Sequence, residues 1–271
     1  MKFCINTLML SKEISILDKI KIAGESGFDG IEPWIDDFIS VNPNDVKKCC
    51  LDYGISIPTI IQMSGWFEND GGLMGIGDNH QEIIEECKRR MEIAVSIGCG
   101  WIIAMPSFSH RGKVSDWNLG VEYFRELLQI GKQIGCMPTI EFMGQTGLIN
   151  NYFICKKFID EFGDDAKMVI DSYHLWRGGG SVDDFLKIDK SQVSVFHISD
   201  ADKGIDREKH MDRNRVMPMD GKIDLKKFAD NVKKIGFDGF VNIGVYNQKL
   251  WSIDPFELCV DSIRRLRELF L

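Results

Sequence analysis

The chain has 271 residues, 44% of them hydrophobic and 27% charged, which suits one large globular α/β domain. A formal net charge of −8 argues against a nucleic-acid backbone as partner, since that role selects for basic patches, and favours a small solute. Eight scattered cysteines without a C-x-x-C pair fit reduced buried thiols, and no leader or long apolar span is evident, so a cytoplasmic protein with no membrane segment is expected.

Taken in order, short apolar runs alternate with segments of helical spacing. Residues 2–6 read as a strand and 14–23 as a helix, with apolar residues at 14, 17, 20, 22 and 23 before Gly24 and Gly27. The unit repeats as strand 30–32 with helix 44–53, strand 55–61 with helix 81–97, and strand 101–105 with helix 119–135. The second half continues with strand 137–141 and helix 151–162, strand 167–171 and helix 182–188, strand 193–198 and helix 225–235, and strand 239–245 and helix 255–269. Eight such units predict a single (β/α)8 TIM barrel over residues 1–271 rather than an open sheet. Glycines at 27, 54, 98, 135, 163 and 236 stand where helices should stop. The long connections, 62–80, 106–116 and 199–222, follow strands, on the side where a barrel builds its pocket.

On this assignment all five histidines (His80, His110, His174, His197, His210) fall at strand C-termini or in the loops after them, and so do Trp34, Trp66, Trp117, Trp176 and Trp251. That bias marks one end of the barrel as the working end. The aromatic set, Trp176 included, suits the apolar faces of a sugar or cyclitol ring, although loop packing would place tryptophans there too. Glu141, Asp171 and His197 end three successive strands and are candidate ligands of one divalent cation. Two carboxylates and an imidazole suit Mn²⁺, Mg²⁺, Co²⁺ or Zn²⁺ without selecting among them. Taken singly, Asp171 would cap the next helix and His197 would be a satisfied core histidine. His174, one helical turn past Asp171, is expected to face the same pocket. Glu32, ending the second strand, is a further inward carboxylate, either for substrate or for an ion pair with a neighbouring strand. Arg215 is placed to reach a substrate, whereas Asp200, Asp202 and the mixed-charge run 203–213 read as solvated loop, and Gly178-Gly179-Gly180 as a hinge.

Several stretches resemble the sugar isomerase/epimerase family with a xylose-isomerase-like barrel, and within it the keto-inositol isomerases. They are Gly30-Ile31-Glu32, Thr139-Ile140-Glu141-Phe142, Val169 to His174, Phe196-His197-Ile198, Arg215 to Pro218 with Gly221 to Asp224, and Gly236 to Gly239. The resemblance implies removal of a proton α to a carbonyl and passage through an enediol(ate), with Glu141 as ligand and general base and His174 as an electrophilic donor. It implies metal ligands at Glu141, Asp171 and His197 and a second glutamate ending the eighth strand. Here Gly244 stands in that last position, and Met219-Asp220 follows Pro218 where the family has glycine. Weak metal binding is therefore expected, and the glycine leaves open a naturally altered enzyme, a deliberately inactivated form or a sequence variant. The alternative functions are a dehydratase of keto-cyclitols or keto-acids, which shares the same proton abstraction, and a carbohydrate-binding relative without turnover, which the glycine would support. The expected partner is a small sugar or cyclitol, with no nucleic acid and no membrane; a homo-oligomer stays open.

Overall fold

The computed structural model describes residues 1–38, 40–61, 80–106, 117–145 and 149–271. Eight parallel strands form a nearly closed barrel: β1 (Lys2–Asn6), β2 (Gly30–Glu32), β3 (Ile60–Ile61), β4 (Trp101–Ala104), β5 (Met137–Glu141), β6 (Lys167–Asp171), β7 (Val193–Ile198) and, eighth in the barrel, β10 (Phe240–Ile243). Their order is β2-β1-β10-β7-β6-β5-β4-β3, and parallel bridges Gly30–Ser56 and Trp34–Ile61 link the two ends. Between β7 and β10 the short strands β8 (Asp200–Ala201) and β9 (Arg215–Val216) form a separate antiparallel ribbon.

Helices α1 (Ile16–Ser26), α2 (Pro43–Tyr53), α3 (His80–Ser96), α4 (Trp117–Ile134), α5 (Tyr152–Asp160), α7 (Leu225–Lys234) and α8 (Pro255–Phe270) follow strands in the barrel order, and a short helix, α6 (Ser172–Arg177), follows β6. Side chains of Ser15, Asn42, Asn151, Asp224 and Asp254 cap the first turns of α1, α2, α5, α7 and α8 by accepting orphan backbone N–H groups. At the other ends Gly27 (φ 95°) and Gly54 (φ 66°) close α1 and α2 in the left-handed conformation, and the four remaining expected stops also have positive φ.

Two expectations differ. The strand expected over 55–61 is regular only at Ile60–Ile61, with Ser56 making an isolated bridge; Pro58 has no N–H to give a ladder. The helix expected over 182–188 is a 3₁₀ turn, Asp184–Lys187, and the helical turn instead begins directly after β6, because the Asp171 carboxylate caps it.

Strand alternation explains why chemistry collects at one end. Ile61, Ile103, Met105, Met143, Val169 and Val195 form the small cluster inside the barrel, while Ile5, Ile102, Ile140, Met168, Ile170, Phe196 and Val241 belong to the main core. Two residues beyond Val169 and Val195 on the same face come Asp171 and His197, so the inner apolar plug ends and the polar site begins along the same rows. The register puts Asp171 beside His197, His197 beside Asn242, and Asn6 beside Glu32.

Candidate active site

Asp171 does two things. One carboxylate oxygen accepts the amides of Tyr173 (2.6 Å) and His174 (3.2 Å), which starts α6 and turns His174 toward the barrel axis; the other accepts Arg215 Nη1 at 2.7 Å. Burial would raise this carboxyl, but Arg215, His174 and His197 outweigh it and hold its pKa below the usual value.

Arg215 is brought back over the mouth by the β8–β9 ribbon, which Asp200 pins. The Asp200 carboxylate, fully buried, accepts the amides of Ala201, Met219, Gly221 and Ile223. A Cβ at 221 would lie 2.2 Å from an Asp200 oxygen, so only glycine lets the return strand come this close. Met219, where a glycine was expected, holds a left-handed φ of 77° inside the same clasp. Asp200 is thus a buried structural anchor and not the solvated loop charge expected for it.

All five N–H groups of the Arg215 guanidinium are used. Nη1 donates to Asp171 and to Ser199 Oγ (3.1 Å), Nη2 to Asp212 Oδ1 (2.7 Å) and toward His174 Nε2 (2.8 Å), and Nε to Asp212 Oδ1 (3.0 Å). The guanidinium also lies over the Tyr173 ring, 4.1 Å from its centroid. Burial together with the adjacent Arg215 cation pushes the His174 pKa below the ordinary imidazole value, which favours a neutral ring.

His197 has the opposite surroundings. Its Nε2 is 2.9 Å from Glu32 Oε1, and its Nδ1 is 3.2 Å from Glu141 Oε1 and 4.0 Å from Asp171 Oδ2. Burial alone would lower this imidazole, but Glu32 and Glu141 overcome it and raise the pKa well above normal. Glu32, fully buried, also accepts from Thr59 Oγ1, Asn6 Nδ2 and Asn242 Nδ2. It orients His197 from behind and does not line the cavity; of its two readings, the ion-pair partner matches this geometry.

One donor atom from each of Glu141, Asp171 and His174 lies within 4.8 Å of the other two, a spacing that fits a single cation. His197 adds Nδ1 on the same side, its other nitrogen fixed by a carboxylate as is usual for ligating histidines. The convergent group has the donor chemistry of a divalent-metal site, but it contains Glu141, Asp171 and His174, whereas the anticipated set had His197 in place of His174. Gly244 lines the cavity with an ordinary φ, and among the described residues the three nearest atoms to a Cβ there all belong to Asn6, at 3.5–3.9 Å, which is ordinary contact, so the position has room for a Cβ.

The cavity brings together Glu141, Asp171, His174, His197, Arg215 and Gly244 with Asn6, Asp212, Trp34, Tyr246, Met105 and Met143. Trp176 is not among the lining residues. Five positions past Asp171 on α6, its ring packs against His210 and Tyr173, with Arg207 and Lys222 near its face, so its expected place at the substrate is corrected. His80 pairs with Glu126 on the outer helices, and Trp117 packs on Phe158. His110 and Trp66 lie outside the described residues. Sequence reasoning missed Asp212, which the mixed-charge run hid; only its spacing three residues before Arg215 hinted at it. The same run ends inward, with His210 fully buried and its Nδ1 3.2 Å from Tyr173 Oη.

The xylose isomerase-like TIM barrel family matches residues 20–269. Inosose isomerase of Bacillus licheniformis is 28% identical over 197 residues, 70% of this chain and 68% of that protein. Inosose isomerase of Bacillus subtilis is 25% identical over 185 residues, 66% of this chain and 65% of its own length, so the chain spans about two thirds of these relatives. Among solved structures, that of the IolI protein with a bound zinc atom superposes with a TM-score of 0.88 at 20% identity, covering 100% of this chain and 98% of that one.

Proposed function

Because the chain belongs to the xylose isomerase-like TIM barrel family, we propose that it is an isomerase or epimerase of small sugars or keto-inositols. The observation that carries this reading is the convergence of Glu141, Asp171 and His174 at the mouth of the barrel, with His197 against Glu141. Relatives named inosose isomerase support the same reaction class.

Glu141 is the base in this reading. Its carboxylate is 5% exposed, is 3.2 Å from His197 Nδ1, and lies on the cavity wall, where it can take the proton α to a carbonyl. The C–H electrons form the C=C bond of the enediolate as the carbonyl electrons move onto its oxygen; the α-hydroxyl proton then passes to that oxygen, and the carboxyl returns its proton to the former carbonyl carbon, leaving the new carbonyl at the α-carbon. His197, held by Glu32, keeps positive charge beside that carboxylate. Asp171, through Arg215, keeps a fixed cation on the other side, and His174 stays neutral next to it. A divalent cation held by Glu141, Asp171 and His174 would polarise the carbonyl when bound, and His197 could join it only after giving up its Nδ1 proton. Trp34 and Tyr246, with ring centroids 6.3 Å apart, give the wall an aromatic face for the C–H side of a ring.

The test follows deuterium. The protein is loaded in turn with Mn²⁺, Mg²⁺, Co²⁺ and Zn²⁺ in D₂O and offered keto-inositols, ketoses and keto-acids while proton spectra are recorded. Exchange of one α-proton with formation of an isomer is the expected result; loss of water after exchange would move the assignment to dehydration. A folded, metal-loaded protein that exchanges no proton from any compound would end the reading.

A further inference from the structure

We propose that Asp212 is a positioning residue, fixing the Arg215 guanidinium so that its other edge meets Asp171 and His174. Three of the five Arg215 contacts go to groups that the barrel itself holds: Asp171 at the end of β6, Ser199 just past β7, and His174 on α6. The other two, from Nε and Nη2, go to one oxygen of Asp212, which comes from the connection between β8 and β9. The second Asp212 oxygen accepts Gln145 Nε2 at 2.6 Å, so the carboxylate ties the segment after β5 to the segment before β9 with the guanidinium between them.

A buried guanidinium that loses the acceptor on one edge turns to find another, and its opposite edge turns with it. Asp212 thus acts on the reacting groups through Arg215. A guanidinium only donates, so in the metal-free protein its approach to His174 Nε2 at 2.8 Å directs that nitrogen's lone pair to Nη2, a contact that a cation on the same nitrogen would replace. Rotation of Arg215 removes this constraint on the ring. Met211 and Arg213 on either side of Asp212 are exposed, while Asp212 faces the cavity, so the single inward carboxylate in this turn carries the effect.

The proposal concerns the site of the isomerase reading and rests on that reading only for its kinetic arm. Full-length protein is labelled with ¹⁵N-arginine, and the Arg215 side-chain signals are assigned with Arg215→Lys. The unaltered protein should show distinct Nη signals from hindered rotation. Asp212→Ala should average them, Asp212→Asn should do so in part, and Asp212→Glu should restore them. On any substrate that is turned over, Asp212→Ala should lower kcat by roughly 10–100-fold, the usual range for a partner one layer behind the reacting groups. KM should move less, and Asp212→Glu should recover most of kcat. If the alanine variant does not fold, the isosteric asparagine variant carries the comparison. Unchanged Arg215 signals in the variants overturn the proposal, as does a lowered Tm with unchanged kcat per folded molecule. If the unaltered protein turns over nothing, the isomerase reading fails and the Arg215 spectrum alone decides the role of Asp212.

Discussion

His174 and His197 sit at the same barrel mouth, 1% and 5% exposed, yet their environments are opposite. His174 meets a guanidinium at Nε2 and is pushed toward the neutral form; His197 has a carboxylate near each ring nitrogen and is pushed toward the charged form. Burial acts on both in the same direction, so the neighbours decide the difference. The site is therefore polarised before any ligand enters: a Glu32–His197–Glu141 row on one side, and an Asp171–Arg215–Asp212 row with a neutral imidazole on the other.

The largest expected effect comes from the first row. Glu141→Gln removes the base of the proposed reaction and one of the two carboxylates that charge His197. Turnover should fall by about 10²–10⁴-fold, the range for a general base, while circular dichroism stays native. Retention of turnover within a factor of two would assign the base elsewhere.

Breaking the second row should cost stability. Arg215→Met leaves the buried Asp171 and the half-buried Asp212 without their cation, and removal of one partner from a buried pair such as Asp171–Arg215 typically costs about 3–5 kcal/mol. Denaturant unfolding of the two forms measures this. A loss near zero would mean that water or a carboxyl proton takes over the role of Arg215.

A new carboxylate between the rows tests the donor set. Gly244→Glu has Asn6 as its nearest described neighbour at the Cβ, in ordinary contact, and adds a negative donor to a cavity that has two carboxylates in the convergent group. Metal affinity should rise by about 10–100-fold, and isomerase turnover with it. Elemental analysis after identical purification, followed by metal titration, reads the result. If the Gly244 form already holds one ion per chain and the glutamate adds nothing, the glycine belongs to a different site design.

The unequal legibility of the two rows has a physical cause. Strand alternation is local, so Val169 with Asp171 and Val195 with His197 announce an inward-facing row from the sequence alone. Pairing across the barrel is not local: Asn242 meets Glu32 across 210 positions, and nothing in either segment forecasts it. Asp212 is harder still, because it is one of several charges in a polar run, and which of them turns inward depends on Arg215 and Gln145 being already in place. Trp176 shows the converse error. A tryptophan after a strand end suggested a substrate platform, but helix α6 begins at Ser172 and carries the ring away to His210. Asp200 was undervalued for a similar reason: its partners are four backbone amides, which leave no trace in side-chain identity.

The smallest expected effect is the dependence of stability on pH, where the two histidines should give slopes of opposite sign. An unfolded histidine titrates near about 6.5. The folded pKa of His174 lies below that, so between the two values the unfolded chain binds more protons and stability rises with pH. His210, also lowered by burial, adds to this slope. The folded pKa of His197 lies above the unfolded one, so its contribution is fully present below about 6.5 and is lost as pH rises through the folded value. The depressed carboxyls of Asp171 and Asp212 contribute only at more acid pH: their stabilisation is present above the unfolded value of about 3.9 and is lost as pH falls through the folded values. Metal-free protein should therefore be most stable near about pH 6.5, where the two histidine slopes meet. Denaturant unfolding between pH 5 and 8.5 reads the curve. His197→Gln should flatten the alkaline side and leave the acid side, whereas His174→Gln should reduce the acid slope only in part, because His210 remains. A curve that both substitutions flatten on the same side would show that the two imidazoles share one environment and that the opposite polarity assigned to them is wrong.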